Sequence, residues 1–350
     1  MKNNKHLVKF PSIEQFRNVI ANINRQFNFV GLDENKEPIY DASLPKPVLT
    51  FKGTVKLHGT NAGVCYNKLS GLWAQSRENI ITPEQENAGF AFFVENNKDT
   101  FISFMLKVAE RLNLNLEDNT ISIFFEWAGS GIQKNVGISN IKKSAFVIGI
   151  KITPHVETDE EKKIKSAYWV DSSYIKSPEK NIYNILDFAT YEIEIDFNMP
   201  QLVQNKLSEL TIAVEEECPV AKAFGFFGIG EGIVWSCEYK GVVHRFKVKG
   251  EKHSASKVKT LAAVDVEKLN SINEFVEYAV TESRFNQGLE KTFLNGEPID
   301  VKKMGALMKW IVDDIIKEES DTMVKNNLEP KDVGKYISSK VREMFFKLSV

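Results

Sequence analysis

The sequence predicts an α+β chain, with a large region of short strands and helices over residues 1–250 and a smaller all-helical region over residues 251–350. Three observations predict it. Between Val48 and Lys249, apolar residues alternate with polar ones in runs of strand length bounded by turn residues. After Gly250 the apolar spacing lengthens to that of a helix and the strand signals fade. At 350 residues the chain also exceeds one average domain, so each part can bury a core of its own.

The first strand expected is Thr50–His58, whose residues alternate in polarity. Ala88–Leu112 is apolar at helical spacing, and Thr120–Phe125 and Ala145–Ile152 return to strand texture. The charged stretch Asp159–Lys165 has no partner pattern and reads as a solvated turn joining two strands. Tyr191–Phe197 is a further strand. Gln201–Glu217 then places Val203, Leu207, Leu210 and Val214 on one helical face before Pro219 ends it. Gly232–Glu238 and Val243–Lys249 close the strand-rich region. Beyond it, Val258–Leu269, Asn273–Thr281, Met304–Glu319 and Lys331–Lys347 all look helical.

Composition narrows the class of protein. Apolar residues make up 43% of the chain and charged residues 26%, the balance of a globular fold. The 24 Phe imply a thick core with some aromatic surface left for stacking. With a net charge of -2, a nucleic-acid partner would have to meet basic groups gathered locally in a groove. The tail does not supply them, since from Lys257 onward Lys and Arg are balanced by Asp and Glu. Cys65, Cys218 and Cys237 lack any paired-ligand spacing, which points away from a disulfide framework or zinc site and towards a reducing cytoplasm. No stretch reaches the ~18 apolar residues of a membrane helix, and no apolar signal segment follows Met1, so a soluble cytoplasmic protein is expected.

The segment Thr54-Val-Lys56-Leu-His58-Gly59-Thr60-Asn61 carries the sharpest chemistry. On a strand, Thr54, Lys56 and His58 share one face and Val55 and Leu57 the other. The Gly-Thr-Asn turn that follows lets a ligand approach the backbone. Two readings stand at this point: a nucleophilic lysine, or a lysine snorkelling from a strand edge. A second segment adds Glu231 at the mouth of a strand, then Arg245-Phe-Lys247-Val-Lys249, with three cations on one face and Phe246 and Val248 on the other. A cationic strand alone is commonly a solvated edge. Lysine strand, acidic strand start and cationic strand in that order form a much more restrictive pattern.

In that order the chain resembles the covalent nucleotidyltransferases, the ligases and capping enzymes that share a Lys-x-x-Gly motif, an acidic strand start and a paired-lysine strand. Within them it is most similar to the RNA ligase 2 family, which groups phage-type double-stranded RNA ligases with trypanosome RNA-editing ligases. The matching segments are Lys56-Leu-His58-Gly59-Thr60-Asn61, Ser76-Arg77, Phe125-Glu126-Trp127-Ala-Gly129 with Gly131-Ile-Gln133-Lys134, Phe146–Lys151, Glu217-Cys-Pro-Val220, Glu231-Gly-Ile-Val234 and Lys247-Val-Lys249. They span about two hundred residues in the family's order.

The resemblance implies a nucleotidyltransferase domain, ATP-grasp-like in having antiparallel sheets around an ATP cleft, followed by a small helical domain that engages RNA ends or duplex. It implies ATP and Mg²⁺ (or Mn²⁺) as cofactors. Its substrate would be RNA with 3′-OH and 5′-phosphate ends, as at nicks in duplex RNA, and the enzyme a monomer acting in RNA repair. Lys56 would attack the α-phosphorus of ATP to give lysyl-AMP, in a neutral form that nearby cations favour. Lys247 and Lys249 would hold the phosphates and neutralise transferring charge. Glu231 would bind the metal, Glu126 the ribose hydroxyls, Phe146 would stack on adenine and Arg77 would contact a phosphate of nucleotide or RNA. His58 and Asn61 would serve the later steps.

Apart from the resemblance, Phe146 reads as core and Glu126 and Arg77 as ordinary surface or ion-pair residues. One departure stands out: relatives commonly carry a lysine five residues after the strand-start glutamate, and Ser236 takes that place here. Gly225-Phe-Phe-Gly228-Ile-Gly230 does not match a dinucleotide fingerprint, and His155, His244 and His253 stand singly. A DNA ligase or a capping guanylyltransferase would continue with an all-β domain rather than helices. A catalytically inactive RNA-binding relative is opposed by the retained Lys56, Glu126, Glu231, Lys247 and Lys249.

Overall fold

The computed structural model describes residues 5–41, 43–44, 46–156, 158, 165–250, 252–253, 272–293, 297 and 299–348. The chain divides into two compact units, Met1–Pro200 with Glu216–Lys247, and Gln201–Glu215 with Val248–Val350. The expected α+β architecture is present.

In the first unit, strands β1 (Phe29–Leu32) and β2 (Pro38–Tyr40) form a small ribbon after the helix Phe16–Asn28. A four-stranded sheet contains β3 (Val48–Lys56), β11 (Thr190–Asp196), β12 (Gly232–Tyr239) and β13 (Val242–Lys249), in the order β11-β3-β12-β13. A seven-stranded sheet contains β4 (Thr60–Asn67), β5 (Gly71–Ser76), β6 (Ile80–Ile81), β7 (Asn119–Ala128), β8 (Ser144–Pro154), β9 (Tyr168–Val170) and β10 (Ile182–Asn184). Its order is β10-β8-β7-β4-β5-β6, with β9 beside β8; β8 and β10 run parallel and the other pairs antiparallel.

Alternation on β7 decides how this larger sheet is used. Ile121, Ile123, Phe125 and Trp127 point into the main core with Ala62, Val64 and the helical residues Phe90, Phe101, Met105 and Val108. Phe124 points the other way, into a smaller cluster with Val8, Cys65 and Trp73, and Glu126 shares that face. A β-bulge shifts the register so that Phe124 faces Gly149 and Phe125 faces Val147. One extra residue on β8 lets both Ala145/Val147 and Ile150/Ile152 enter the same core, which a strict alternation forbids. Ile148, skipped by the register, packs in the smaller cluster instead.

The four-stranded sheet buries Phe51, Val55, Ile233, Trp235 and Phe246 on one face. The Phe246 ring lies 5.3 Å from Phe51 and 4.8 Å from Phe16 of the first helix. Its other face keeps Thr54, Lys56, Val234, Ser236, Arg245 and Lys247 half-buried. The two-residue turn Lys240–Gly241, with positive φ at both positions, closes the β12–β13 hairpin in the conformation that matches strand twist.

The expected helix Ala88–Leu112 is two helices, Phe90–Asn96 and Lys98–Leu112. Asn97 interrupts them at φ -121°, and its side chain donates to the Phe93 carbonyl, an alternative to the helix ladder. The expected helix Gln201–Glu217 is present as Gln204–Glu216 and ends before Pro219, which also opens the short helix Pro219–Ala223, where its missing N–H costs nothing. The expected helix Val258–Leu269 and residues 159–164 of the charged turn lie outside the described residues.

The second unit contains the helices Ile272–Ala279, Glu282–Thr292, Met304–Glu318, Ser320–Lys325 and Pro330–Lys347 around Phe275, Phe285, Leu307, Ile311, Ile337, Val341 and Phe345. Through this apolar cluster runs one polar network. Arg284 is fully buried, its Nε donating to Asp314 Oδ2 at 2.9 Å and its Nη1 to the Ala279 carbonyl at 2.6 Å. Its Nη2 lies 3.7 Å from Glu319, whose other oxygen accepts from Tyr278 and Thr322. Removing one member strands a buried charge. Arg284→Ala is therefore expected to lower the stability of the chain by about 3 kcal/mol or more, read as a shifted urea midpoint. A midpoint equal to wild type would show that the network contributes nothing.

Candidate functional site

Lys56 is the last residue of β3 and Gly232 the first of β12, and the two face each other across the antiparallel pair. Glu231, one residue earlier, thereby arrives beside the lysine. Lys56 Nζ lies 2.7 Å from Glu231 Oε2, and the same oxygen lies 3.3 Å from His58 Nδ1, the ring nitrogen that donates to it. Glu231 is only 3% exposed, against 19% for Lys56. A carboxylate so deeply placed needs charged or N–H partners, and these two provide them.

Between Lys56 and β4 the chain turns through Leu57, His58 and Gly59. The Gly59 N–H donates to Glu126 Oε1 at 2.9 Å, and the Gly59 carbonyl accepts from Gln133 Nε2 at 3.1 Å. A Cβ at this glycine would meet the Trp127 carbonyl oxygen at 2.5 Å, Ala128 Cβ at 3.0 Å and Glu126 Cγ at 3.1 Å. Only glycine fits against β7 here. The turn thus binds the nucleophile strand to the strand carrying Glu126.

Across the seven-stranded sheet, Asn61 faces Glu126 and Glu126 faces Phe146, so three expected site residues share one row and one face. On the next strand Ser76 faces Ala62, which brings Arg77 out at the Asn61 end of the row. Burial holds the Glu126 carboxyl above its ordinary value. Lys56 works against that shift, Glu231 reinforces it, and the Gly59 N–H and His58 lower it. Lys56, His58, Glu126 and Glu231 therefore form one electrostatic cluster.

The other expected residues are placed differently. Arg77 is exposed, with Nη2 donating to Ser12 Oγ at 3.2 Å. Phe146 is fully buried, its ring stacked on Tyr183 at 5.6 Å with Phe188 and Phe224 around it. A base reaches it only if one of those rings moves. Lys247 and Lys249 occupy half-buried positions on β13, and the Lys247 N–H donates to the Glu14 carbonyl. Ser236 faces Lys52 of β3, so a lysine stands beside this position on the neighbouring strand. Sequence reading quoted Gln133 within a motif without giving it a role; its contact with the Gly59 carbonyl supplies one.

The donor set fits a divalent ion of limited protein coordination. Glu231 and Glu126 are close enough to act on each other, and among the described residues no group of three or more His, Cys, Asp or Glu converges. Mg²⁺ is ordinarily bound through one or two carboxylates completed by phosphate oxygens and water. No helix among the described residues is long and apolar enough to cross a membrane.

No family model matches this chain, and no curated protein matches it significantly. Among solved structures it is similar to those of an RNA ligase from Naegleria gruberi. The form with pyrophosphate aligns at a TM-score of 0.38 and 16% identity over 72% of this chain and 62% of that one. A mutant with ATP and Mn aligns at 0.38 and 15% over 69% and 56%, and a mutant with AMP and Mn at 0.38 and 16% over 69% and 55%. The chain thus spans less than two thirds of the length of these ligase chains.

Two outcomes are expected from this geometry. Gly59→Ala forces the turn off β7, and about 1–3 kcal/mol of stability is lost, measurable in thermal melts; an unchanged melt would show that the turn yields freely. Glu126→Gln keeps an acceptor for the Gly59 N–H and removes a buried charge. Because the folded-state carboxyl titrates above its unfolded value, wild type loses stability relative to the variant as pH rises through that interval. The melting temperature of Glu126→Gln is therefore expected to gain on wild type from pH 4 to pH 7, and a falling difference would reverse the assignment.

Proposed function

We propose that this chain is an ATP-dependent RNA ligase of the RNA ligase 2 type, with Lys56 as the residue that carries AMP. The observation that carries the reading is the contact of Lys56 Nζ with the buried Glu231 carboxylate at 2.7 Å, on the same oxygen as His58 and within the field of Glu126. A strand-end lysine that is only 19% exposed and paired with a buried acid does not snorkel to solvent, and the glycine turn beside it is too tight for any Cβ. The order of motifs along the chain supports the family.

In the first step the Lys56 amine attacks the α-phosphorus of ATP. The N–P bond forms, the bond to the β-phosphate oxygen breaks, and pyrophosphate leaves. Glu231 Oε2 orients the amine and is placed to take the proton that Nζ sheds. In the second step an oxygen of an RNA 5′-phosphate attacks the same phosphorus, and the Lys56 nitrogen departs with a proton. In the third, a 3′-hydroxyl attacks the adenylylated 5′-phosphate, loses its proton and displaces AMP. Lys247 and Lys249 neutralise the phosphates, Glu126 accepts from the ribose hydroxyls, Asn61 and His58 serve the RNA steps, and Arg77 meets a backbone phosphate. Phe146 contacts adenine once the aromatic cluster around it opens. A Mg²⁺ or Mn²⁺ held by Glu231 with phosphate oxygens would supply charge neutralisation at the transferring phosphate.

The preferred substrate is a 3′-OH/5′-phosphate nick in duplex RNA, sealed by a cytoplasmic monomer in RNA repair, with residues 251–350 engaging the duplex through backbone and 2′-OH contacts. Incubation with α-labelled ATP and a divalent metal is expected to leave label on denatured wild-type protein, and Lys56→Ala to reduce it by about a thousandfold or more. Label from GTP instead would favour a capping enzyme. Label surviving in the alanine variant would remove Lys56 from the role.

A further inference from the structure

Away from Lys56, two cations converge on one indole. Trp169 of β9 faces Lys151 of β8, directly opposite in register, and Lys151 Nζ lies 5.9 Å from the centre of the Trp169 ring. From the other sheet, Arg245 of β13 brings its Cζ to 4.1 Å from the same ring and 5.6 Å from that of Phe10. Here the polar face of the four-stranded sheet meets the seven-stranded one. Among the described residues, neither Arg245 nor Lys151 has a carboxylate partner or a side-chain hydrogen bond, and their recorded neighbours are aromatic rings and each other.

Two like charges held together with no anion between them are unfavourable unless a ligand provides one. Burial lowers the Arg245 guanidinium to about 10 and, with Arg245 nearby, also lowers the Lys151 ammonium; Arg245 at least stays charged at neutral pH. Cation–π contact with Trp169 offsets part of the cost but supplies no acceptor for the N–H donors of the half-buried guanidinium, which remain available to a ligand in place of water.

We propose that Arg245 and Lys151 form a phosphate subsite that receives a backbone phosphodiester of the polynucleotide. The position favours the polynucleotide over ATP. The Lys240–Gly241 turn folds β13 back along β12, which sets Arg245 level with Ser236. Ser236 stands four residues, about 13 Å, along β12 from Gly232 beside Lys56, which is farther than the tail of an ATP bound at Lys56 extends. Lys247 then lies between Arg245 and the Lys56 end of the sheet, on the same face of β13. This assignment rests on the ligase reading for the identity of the polynucleotide, though not for the presence of a phosphate site.

Full-length wild type, Arg245→Met, Arg245→Lys and Lys151→Met are compared by thermal melting, by label transfer from α-labelled ATP, and by binding of a nicked RNA duplex across a salt series. Both methionine variants are expected to bind RNA about tenfold more weakly, with the slope of log affinity against log salt reduced by about one. Arg245→Lys is expected to restore the slope, and ATP still to label Lys56 in every variant. A lowered melting temperature with the RNA slope intact would make the cluster purely structural and overturn the proposal. Loss of ATP label with RNA binding intact would assign the site to the nucleotide tail and overturn it as well. If wild type takes no label from ATP yet the methionine variants lose RNA slope, the ligase reading fails and the phosphate subsite stands.

Discussion

The first unit is arranged around one buried carboxylate. Glu231, 3% exposed, lies at the point where β12 begins beside the end of β3. An unpaired acid at such depth would cost several kcal/mol, so its partners must be held with little freedom. Lys56 is held by strand pairing, and His58 by the turn that Gly59 permits. Because the Gly59 N–H is donated to Glu126, the same turn sets the distance between the acid of one sheet and the acid of the other. Loosening any of these contacts would weaken the pairing of a buried charge.

The larger sheet divides its two faces between the helix-covered core and the row of candidate site residues, and the bulge on β8 makes that division possible. Without it, Ala145 and Val147 would lie on the opposite side from Ile150 and Ile152, and one pair would leave the helix-covered core. With it, one face of β7 and β8 is continuously apolar, and the other is free to carry Glu126, Phe146 and Lys151. Site residues on strand interiors are positioned by the hydrogen-bond ladder, which is stiffer than a loop. The row from Asn61 to Phe146 owes its alignment to that ladder.

Where alternation was strong, the strands could be read from sequence to within about two residues, as with β3, β8, β11, β12 and β13, while β7 was read three residues short at its Ala128 end. Strands β4 and β5 were not legible. In Thr60–Asn67 one face of the strand is Asn61, Gly63, Cys65 and Asn67, and both faces are largely buried, so no polar alternation marks it. The helices Phe16–Asn28 and Glu282–Thr292 were also missed, the second because it buries Arg284 and Gly288 on its inner face where an apolar pattern would be sought. That Lys56, Glu126 and Glu231 belong to one site was expected only through the family resemblance, since Glu126 alone reads as an ordinary ion-pair residue; in the structure the three lie within one electrostatic cluster. The Arg245–Trp169–Lys151 cluster had a partial sequence signal in the cationic strand, but the indole and the second cation come from β8 and β9, over seventy residues earlier.

The electrostatics of the site oppose the stability of the free chain. Glu126 and Glu231 raise the cost of each other's charge, and Lys56, with His58 and the Gly59 N–H, moderates it. If Lys56 becomes a neutral amine and then a phosphoramidate, its share of that moderation disappears while the two acids remain. Two acids left without that cation favour another positive charge in its place, and a divalent ion accompanying a nucleotide would supply one. An apolar residue in place of Glu231 would relieve that repulsion but leave Lys56, only 19% exposed, without its carboxylate partner.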